Sequence, residues 1–172
     1  VLRHRRLANA GLLLASSDYR SSNKEMNVGT ASIDKTQFIE KLNEDLASEF
    51  RSIVQYVQHV SSIKGAPYQQ VLQDLRKHLS QELEHAMILA DQIDFLGGTP
   101  ACEVPKITTK ESPEAALTQD LRLEEQQLKR YRERITQANE LGLPDVAEAL
   151  SPLLTQTQDH VNDLRGVVGP AA

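Results

Sequence analysis

The chain of 172 residues has no tryptophan, three phenylalanines and four tyrosines, so aromatic residues make up only 4 % of it. Its core must be built from aliphatic side chains, and good helix formers dominate the sequence that supplies them. The single cysteine, Cys102, cannot close an internal disulfide, and without a CxxC pair it offers no iron–sulfur or zinc-ribbon site. That cysteine usage suits a reducing compartment, and the cytoplasm is the expected location. No run approaches the ~20 apolar residues of a membrane span, so no membrane partner is expected. Excess positive charge is lacking too, the formal net charge being −5. Residues 1–25 carry five basic against two acidic residues, net +3, which leaves −8 for residues 26–172. An acidic body attracts cations and disfavours nucleic acid as a partner.

What the chain does have is four long amphipathic stretches whose apolar residues recur at helical spacing. The first runs Phe38, Leu42, Leu46, Ile53, Tyr56, Val60 and Ile63, the second Tyr68, Leu72, Leu75, Leu79, Ala86, Leu89, Ile93 and Leu96. The third runs Leu117, Leu121, Leu128, Tyr131, Ile135 and Ala138, the fourth Val146, Leu150, Leu153, Val161 and Leu164. Each stripe is interrupted at mid-length by polar residues that can hold a metal: Glu49, then Glu82 with His85, then Glu124, then His160 with Thr157 one turn before it. An isolated carboxylate or imidazole buried in such a stripe costs several kcal/mol unless something compensates it. These residues must compensate one another, or a metal must. Glu125 falls off the stripe and is expected in solvent.

Caps and breakers place helices near 34–64, 67–96, 113–141 and 144–165. Asp34 is a suitable N-cap, Gly65 and Pro67 separate the first two helices, and Gly97-Gly98-Thr99-Pro100 stops the second. Ser112-Pro113-Glu114 opens the third, and Gly142 with Pro144 parts it from the fourth. Short connections make helices one and two antiparallel neighbours, and likewise three and four. The segment 97–111 is long enough to run the length of a bundle. The expected fold is all-α: a four-helix bundle over 34–166 with one long crossover between helices 2 and 3, and a tail over 167–172.

The segment 1–33 is expected to lie outside the bundle and to be disordered. Arg3, Arg5 and Arg6 precede the apolar run 7–15 and then Ser16-Ser17, which loosely resembles a targeting segment. The blander reading is an added tag, or a start placed upstream of Met26.

Glu82 and His85, three residues apart, lie on one helix face and can address one metal together. The combined pattern resembles the bacterioferritin branch of the ferritin-like family over about residues 34–165. Ser48-Glu49-Phe50-Arg51 with Tyr56 is similar to that family's first-helix motif, and Gln81-Glu82-Leu83-Glu84-His85-Ala86 to its second. Phe95-Leu96-Gly97-Gly98-Thr99-Pro100 resembles the end of that helix, and Leu121-Arg122-Leu123-Glu124 the third motif. The resemblance implies a ferritin-like fold with a di-iron centre, in which one Glu comes from each of two helices and Glu-x-x-His from the others. It implies iron held by Glu49, Glu82, His85, Glu124 and His160, with Fe(II) oxidised by O2 or peroxide. The carboxylates Glu49, Glu82 and Glu124 would carry the catalysis, and the two histidines would cap one metal each.

The chain also departs from the family. Thr157 stands where the fourth-helix motif has its Glu, so three carboxylates face the charge of two irons and one metal position is weakened. Leu83 stands where bacterioferritin has its haem-ligating Met, so no haem is expected. Twelve residues follow His160, too few for the fifth helix of the 24-subunit shell, and a homodimer is expected before any larger shell, with Ile39, Val57 and Ile88 offered as interface residues. Manganese or zinc would suit the same ligands. A degenerate, non-catalytic bundle acting in metal binding, structure or interaction is the alternative. A DNA-protecting shell of the Dps type has only the basic tail in its favour. His78 is expected as a gate or fringe residue and His59 as exposed, whereas Tyr56 either hydrogen-bonds a ligand or supplies an electron, or is a plain core residue.

Overall fold

A computed structural model describes residues 33–110 and 112–169. The expectations for residues 1–32 and for 170–172 lie outside them. Four helices make up the fold, α1 (Lys35–Ser62), α2 (Gln69–Phe95), α3 (Pro113–Glu140) and α4 (Pro144–Val168), with one 3-10 turn, Ala66–Tyr68, between the first two. No strand occurs among the described residues, and no helix there is long and apolar enough to cross a membrane.

The helix ends follow from local chemistry. Asp34 Oδ1 accepts from the Gln37 amide at 2.8 Å while Gln37 Oε1 accepts from the Asp34 amide at 2.9 Å, a reciprocal cap that satisfies two otherwise orphaned donors. α2 ends where Gly97 takes φ 83°, its amide donating to Asp94 and that of Gly98 to Ile93. Gly98 itself must be glycine, because a Cβ there would stand 2.5 Å from the Ile39 side chain. Two boundaries differ from expectation. α2 starts at Gln69 rather than at 67, because the chain first winds through the proline-containing 3-10 turn. α4 runs through to Val168, past 165 and into the expected tail, until Gly169 with φ 78° ends it. It also continues through Pro152, whose missing N–H falls on an exposed side of the helix where water can take the freed carbonyl.

α1 packs on α2 and α3, and α4 packs on the same two, while among the described residues the diagonal pairs, α1 with α4 and α2 with α3, make no close backbone approach. One apolar cluster joins Phe38, Leu42 and Leu46 of α1 to Leu89 and Ile93 of α2, Tyr131 and Ala138 of α3, and Val146 and Leu150 of α4. The other joins Tyr56, Leu75, Leu117, Leu121, Val161 and Leu164 at the opposite end. α1 and α4 therefore run one way and α2 and α3 the other. The crossover must return the full length of α2, about 40 Å at 1.5 Å per residue. Its 17 residues, 96–112, can span up to ~56 Å. It is tied down at its start by Asn43, which donates to the Thr99 carbonyl at 3.1 Å and accepts from the Ala101 amide at 2.7 Å. Each fully buried Leu or Ile of the two clusters contributes ~1.5–3 kcal/mol, and the two apolar plugs hold the polar residues of the middle layer between them.

Candidate metal centre

Glu49, Glu82, His85, Glu124 and His160 all meet in that middle layer, each no more than 2 % exposed. They form two groups that share one residue: Glu49, Glu82 and His85, and Glu82, Glu124 and His160, with the potential ligand atoms of each group within 4.8 Å of one another. His160 Nδ1 lies 2.9 Å from Glu82 Oε1 and 3.4 Å from Glu124 Oε2. His85 Nδ1 lies 3.3 Å from Glu82 Oε2 and 3.8 Å from Glu49 Oε2. Glu82 thus turns one oxygen to each histidine.

The surrounding side chains hold these groups in place. His85 Nε2 meets Gln156 Oε1 at 2.9 Å, and His160 Nε2 meets Gln81 Oε1 at 3.0 Å. Each glutamine carbonyl therefore fixes the outer nitrogen of the other hairpin's imidazole and leaves Nδ1 to the carboxylates. Tyr131 donates to Glu49 Oε1 at 2.5 Å, and Tyr56 donates to Glu124 Oε1. Burial and the adjoining carboxylates push both phenols well above their usual range, so they remain donors. Glu124 points inward as expected, whereas Glu125 is half-buried and ion-paired to Arg165 at 2.5 Å.

Several inward atoms have no hydrogen-bond partner among the described residues: Glu49 Oε2, Glu82 Oε1, His160 Nδ1 and Thr157 Oγ1. Glu82 Oε1 and His160 Nδ1 are close enough to bond but are not aligned to do so, which is the arrangement of donors directed at a common third point. Oxygen and imidazole nitrogen donors of this kind fit iron, manganese or zinc. Without a metal, protons carry the compensation. Burial draws both imidazoles down, yet the carboxylates prevail, Glu49 and Glu82 holding His85 at about 10, and Glu124 and Glu82 holding His160 at about 9. Burial and the neighbouring Glu82 push Glu49 up to about 8. Glu82 goes the other way: burial and Glu124 raise it, but the close approach of Glu49, His160 and His85 brings it below its ordinary value. Two imidazolium charges so stand beside the carboxylates where metal charge would otherwise stand.

The layer obeys an internal repeat of 75 residues. Glu49 and Tyr56 of α1 match Glu124 and Tyr131 of α3, and Gln81 and His85 of α2 match Gln156 and His160 of α4. The repeat extends to pairs that sequence reasoning missed. Asp45 and Asp120 are both fully buried, Asp45 facing Arg134 at 2.7 Å and Asp120 facing His59 at 2.8 Å, with His59 and Arg134 again 75 apart. Burial pushes Asp45 up to about 7 against the pull of Arg134 and Arg130. The repeat fails at one ligand position, where Glu82 is matched by Thr157, fully buried.

Two histidines depart from expectation. His59 is 1 % exposed rather than in solvent, because α1 buries a second, polar face (Asp45, Ser48, Ser52, Gln55, His59) against α3. His78 is equally buried, its ring stacked 3.9 Å from that of His160 and its Nε2 3.1 Å from Asp163. It belongs to neither group, and its buried Nδ1 has no partner among the described residues.

A family model described as the ferritin-like domain matches residues 39–170. Among solved structures, a ferritin-like diiron-carboxylate protein from Bacillus anthracis str. Ames is 31 % identical with a TM-score of 0.74, over 80 % of this chain and 99 % of that one. A dodecameric thioferritin from Bacteroides fragilis, described as bacterioferritin-related, has the same fold at 23 % identity and a TM-score of 0.68, over 80 % of this chain and 87 % of that one. Comparison with curated proteins yields no match. The four-helix architecture, the long crossover and the family match together make this chain a member of the ferritin-like family.

Proposed function

We propose that the chain binds Fe(II) as substrate at the centre of its bundle and oxidises it with O2 or peroxide. The observation that carries this is Glu82, whose two oxygens serve two groups that each have one further Glu and one His of their own. Glu49, Glu82 and Glu124 supply the negative charge, His85 and His160 one nitrogen each, and Gln81, Gln156, Tyr56 and Tyr131 fix the orientation. Two Fe(II) ions lose one electron each. O2 takes up those two electrons with two protons to give hydrogen peroxide, or peroxide takes them with two protons to give two waters. The Bacillus anthracis relative, described as a diiron-carboxylate protein, supports the same reading.

Thr157 qualifies this. With three carboxylates where the repeat has room for four, one ion is held tightly and the second weakly, and turnover is slow. The second reading, a bundle that binds metal without turning it over, draws on the same residue. Anaerobic loading with Fe(II) followed by oxygen-electrode measurement separates the two. Oxygen uptake is expected for wild type and not for Glu82→Gln, since Glu82 serves both groups; metal bound without oxygen uptake favours the second reading.

In the same reading the protein works in the cytoplasm as a homodimer paired through α1 and α2. Val54, Val57, Leu83 and Met87 are exposed apolar residues on those helices, 43–62 % accessible. Ile39 and Ile88, expected at the interface, are instead half-buried against the bundle's own core.

A further inference from the structure

Two half-buried arginines of the α1–α3 pair have no acid to answer them. Arg134 meets Asp45 at 2.7 Å and Arg165 meets Glu125 at 2.5 Å, whereas neither Arg51 nor Arg130 pairs with a carboxylate among the described residues. Acids are in surplus in this part of the chain, so the two guanidiniums are unpaired by placement and not by shortage. Arg51 Nε is buried and has no partner among the described residues, a cost comparable to a lost hydrogen bond. Arg130 reaches only Gln127 Oε1, at a long 3.4 Å. In the repeat of 75, Arg130 matches Gln55, which holds Asp120 at 2.6 Å; the corresponding aspartate, Asp45, is already held by Arg134, and Arg130 is left without that task.

Arg51 and Arg130 line one cavity of about 340 Å³, bounded by α1, α3 and the crossover at Pro105. Ser48 and Gln126 add a hydroxyl and an amide to its wall, and Ala47, Leu123 and Pro105 make part of that wall apolar. Glu44 is the one acid that lines it, and its carboxylate is offset by Lys41 Nζ at 2.7 Å. The cavity shares no residue with the metal centre, and none of the exposed apolar residues offered for the dimer lines it.

We infer that this cavity binds a small di- or tricarboxylate, clamped between the guanidiniums of Arg51 and Arg130. The planar fork of each guanidinium matches the two oxygens of a carboxylate, and two forks carried by different helices call for two acid groups on one molecule. The Ser48 hydroxyl and the Gln126 amide can donate to the remaining oxygens. The apolar wall of Ala47, Leu123 and Pro105 covers the carbon chain between them. A lone phosphate would leave that wall, and one guanidinium, unused. A cation is repelled by both arginines. The volume, room for roughly eleven waters at ~30 Å³ each, holds a small organic acid and is too small for a partner helix.

The test is calorimetric titration of the metal-free full chain, at fixed ionic strength, with succinate, citrate, acetate and inorganic phosphate in separate experiments. Succinate or citrate should bind saturably, one per chain, and about tenfold or more tighter than acetate or phosphate. Arg51→Gln and Arg130→Gln should each weaken that binding about tenfold, the value of one charge-assisted hydrogen bond. The Arg51 Nε–H resonance of wild type, a readout that needs no variant, should move during the titration with the tighter of the two acids. Absence of saturable binding by both succinate and citrate overturns the inference, as does acetate or phosphate binding equally tightly. Binding that is unchanged in both variants, with a stationary Arg51 resonance, overturns it as well.

Discussion

Replacing Thr157 by Glu restores the internal repeat at the one ligand position where it fails, and its cost to stability should be offset by metal. Thr157 is fully buried and its hydroxyl has no partner among the described residues, so a carboxylate placed there cannot be hydrated. An uncompensated buried charge costs about 3–5 kcal/mol. The imidazolium groups of His85 and His160 offset part of this, and Glu49, already pushed up to about 8, can take a proton. The lower end of that range, ~3 kcal/mol, is therefore the appropriate figure for the metal-free protein. For a chain of this size it corresponds to a fall in Tm of roughly 6–12 °C. With metal the deficit closes. One ion at a hundred times its Kd contributes ~2.7 kcal/mol, and a second held equally well doubles that. Scanning calorimetry with and without anaerobic Fe(II) or redox-inert Zn(II), paired with elemental analysis, should show a less stable metal-free variant with about twice the wild-type metal shift. Wild type that already holds two ions tightly, or a variant no less stable without metal, would refute the charge-deficiency reasoning.

Stability of the metal-free protein should fall as pH rises from about 6.5 to about 10. His85 and His160 have folded values of about 10 and about 9 against an ordinary 6.5, so their contribution is complete below 6.5 and is lost through the folded values. Glu49, raised to about 8, changes in the same direction from 4.5 upward. Metal binding needs deprotonated ligands, so the metal-induced shift in Tm should grow over the same range, and a metal-free Tm that climbs from pH 7 to 9 would contradict this. For assembly, sedimentation should show a wild-type dimer and a monomer of unchanged helicity for Val57→Lys with Leu83→Lys; a wild-type monomer at micromolar concentration counts against the α1–α2 interface.

The ligand-bearing faces were legible because they are apolar faces with interruptions. Glu49 between Leu46 and Ile53, and Glu124 between Leu121 and Leu128, stand out against a hydrophobic period, and the structure places those side chains together. The α1–α3 interface was not legible, because its buried residues are polar on both sides. Asp45, Ser48, Ser52, Gln55 and His59 occupy one face of α1, and hydrophobic periodicity does not register a face whose members satisfy one another across a helix pair. On α2 the same limitation put Leu72 and Leu79 in the stripe, although Val71 and His78 are the more buried. The constant spacing of 75 would have found Asp120 from Asp45 and paired His59 with Arg134. Helix ends missed by a few residues where a 3-10 turn or a surplus helical turn intervened, as at Gln69 and Val168.

Whether Glu82 serves two metal positions at once is tested most directly by anomalous scattering from crystals soaked anaerobically with Fe(II). The predicted result is two peaks of unequal height, one between Glu82, Glu124 and His160 and the other between Glu49, Glu82 and His85, with the Glu82 carboxylate in contact with both. The contradicting result is a bundle centre without anomalous density, in which Glu82 remains paired only with the two histidines while iron is bound elsewhere or not at all.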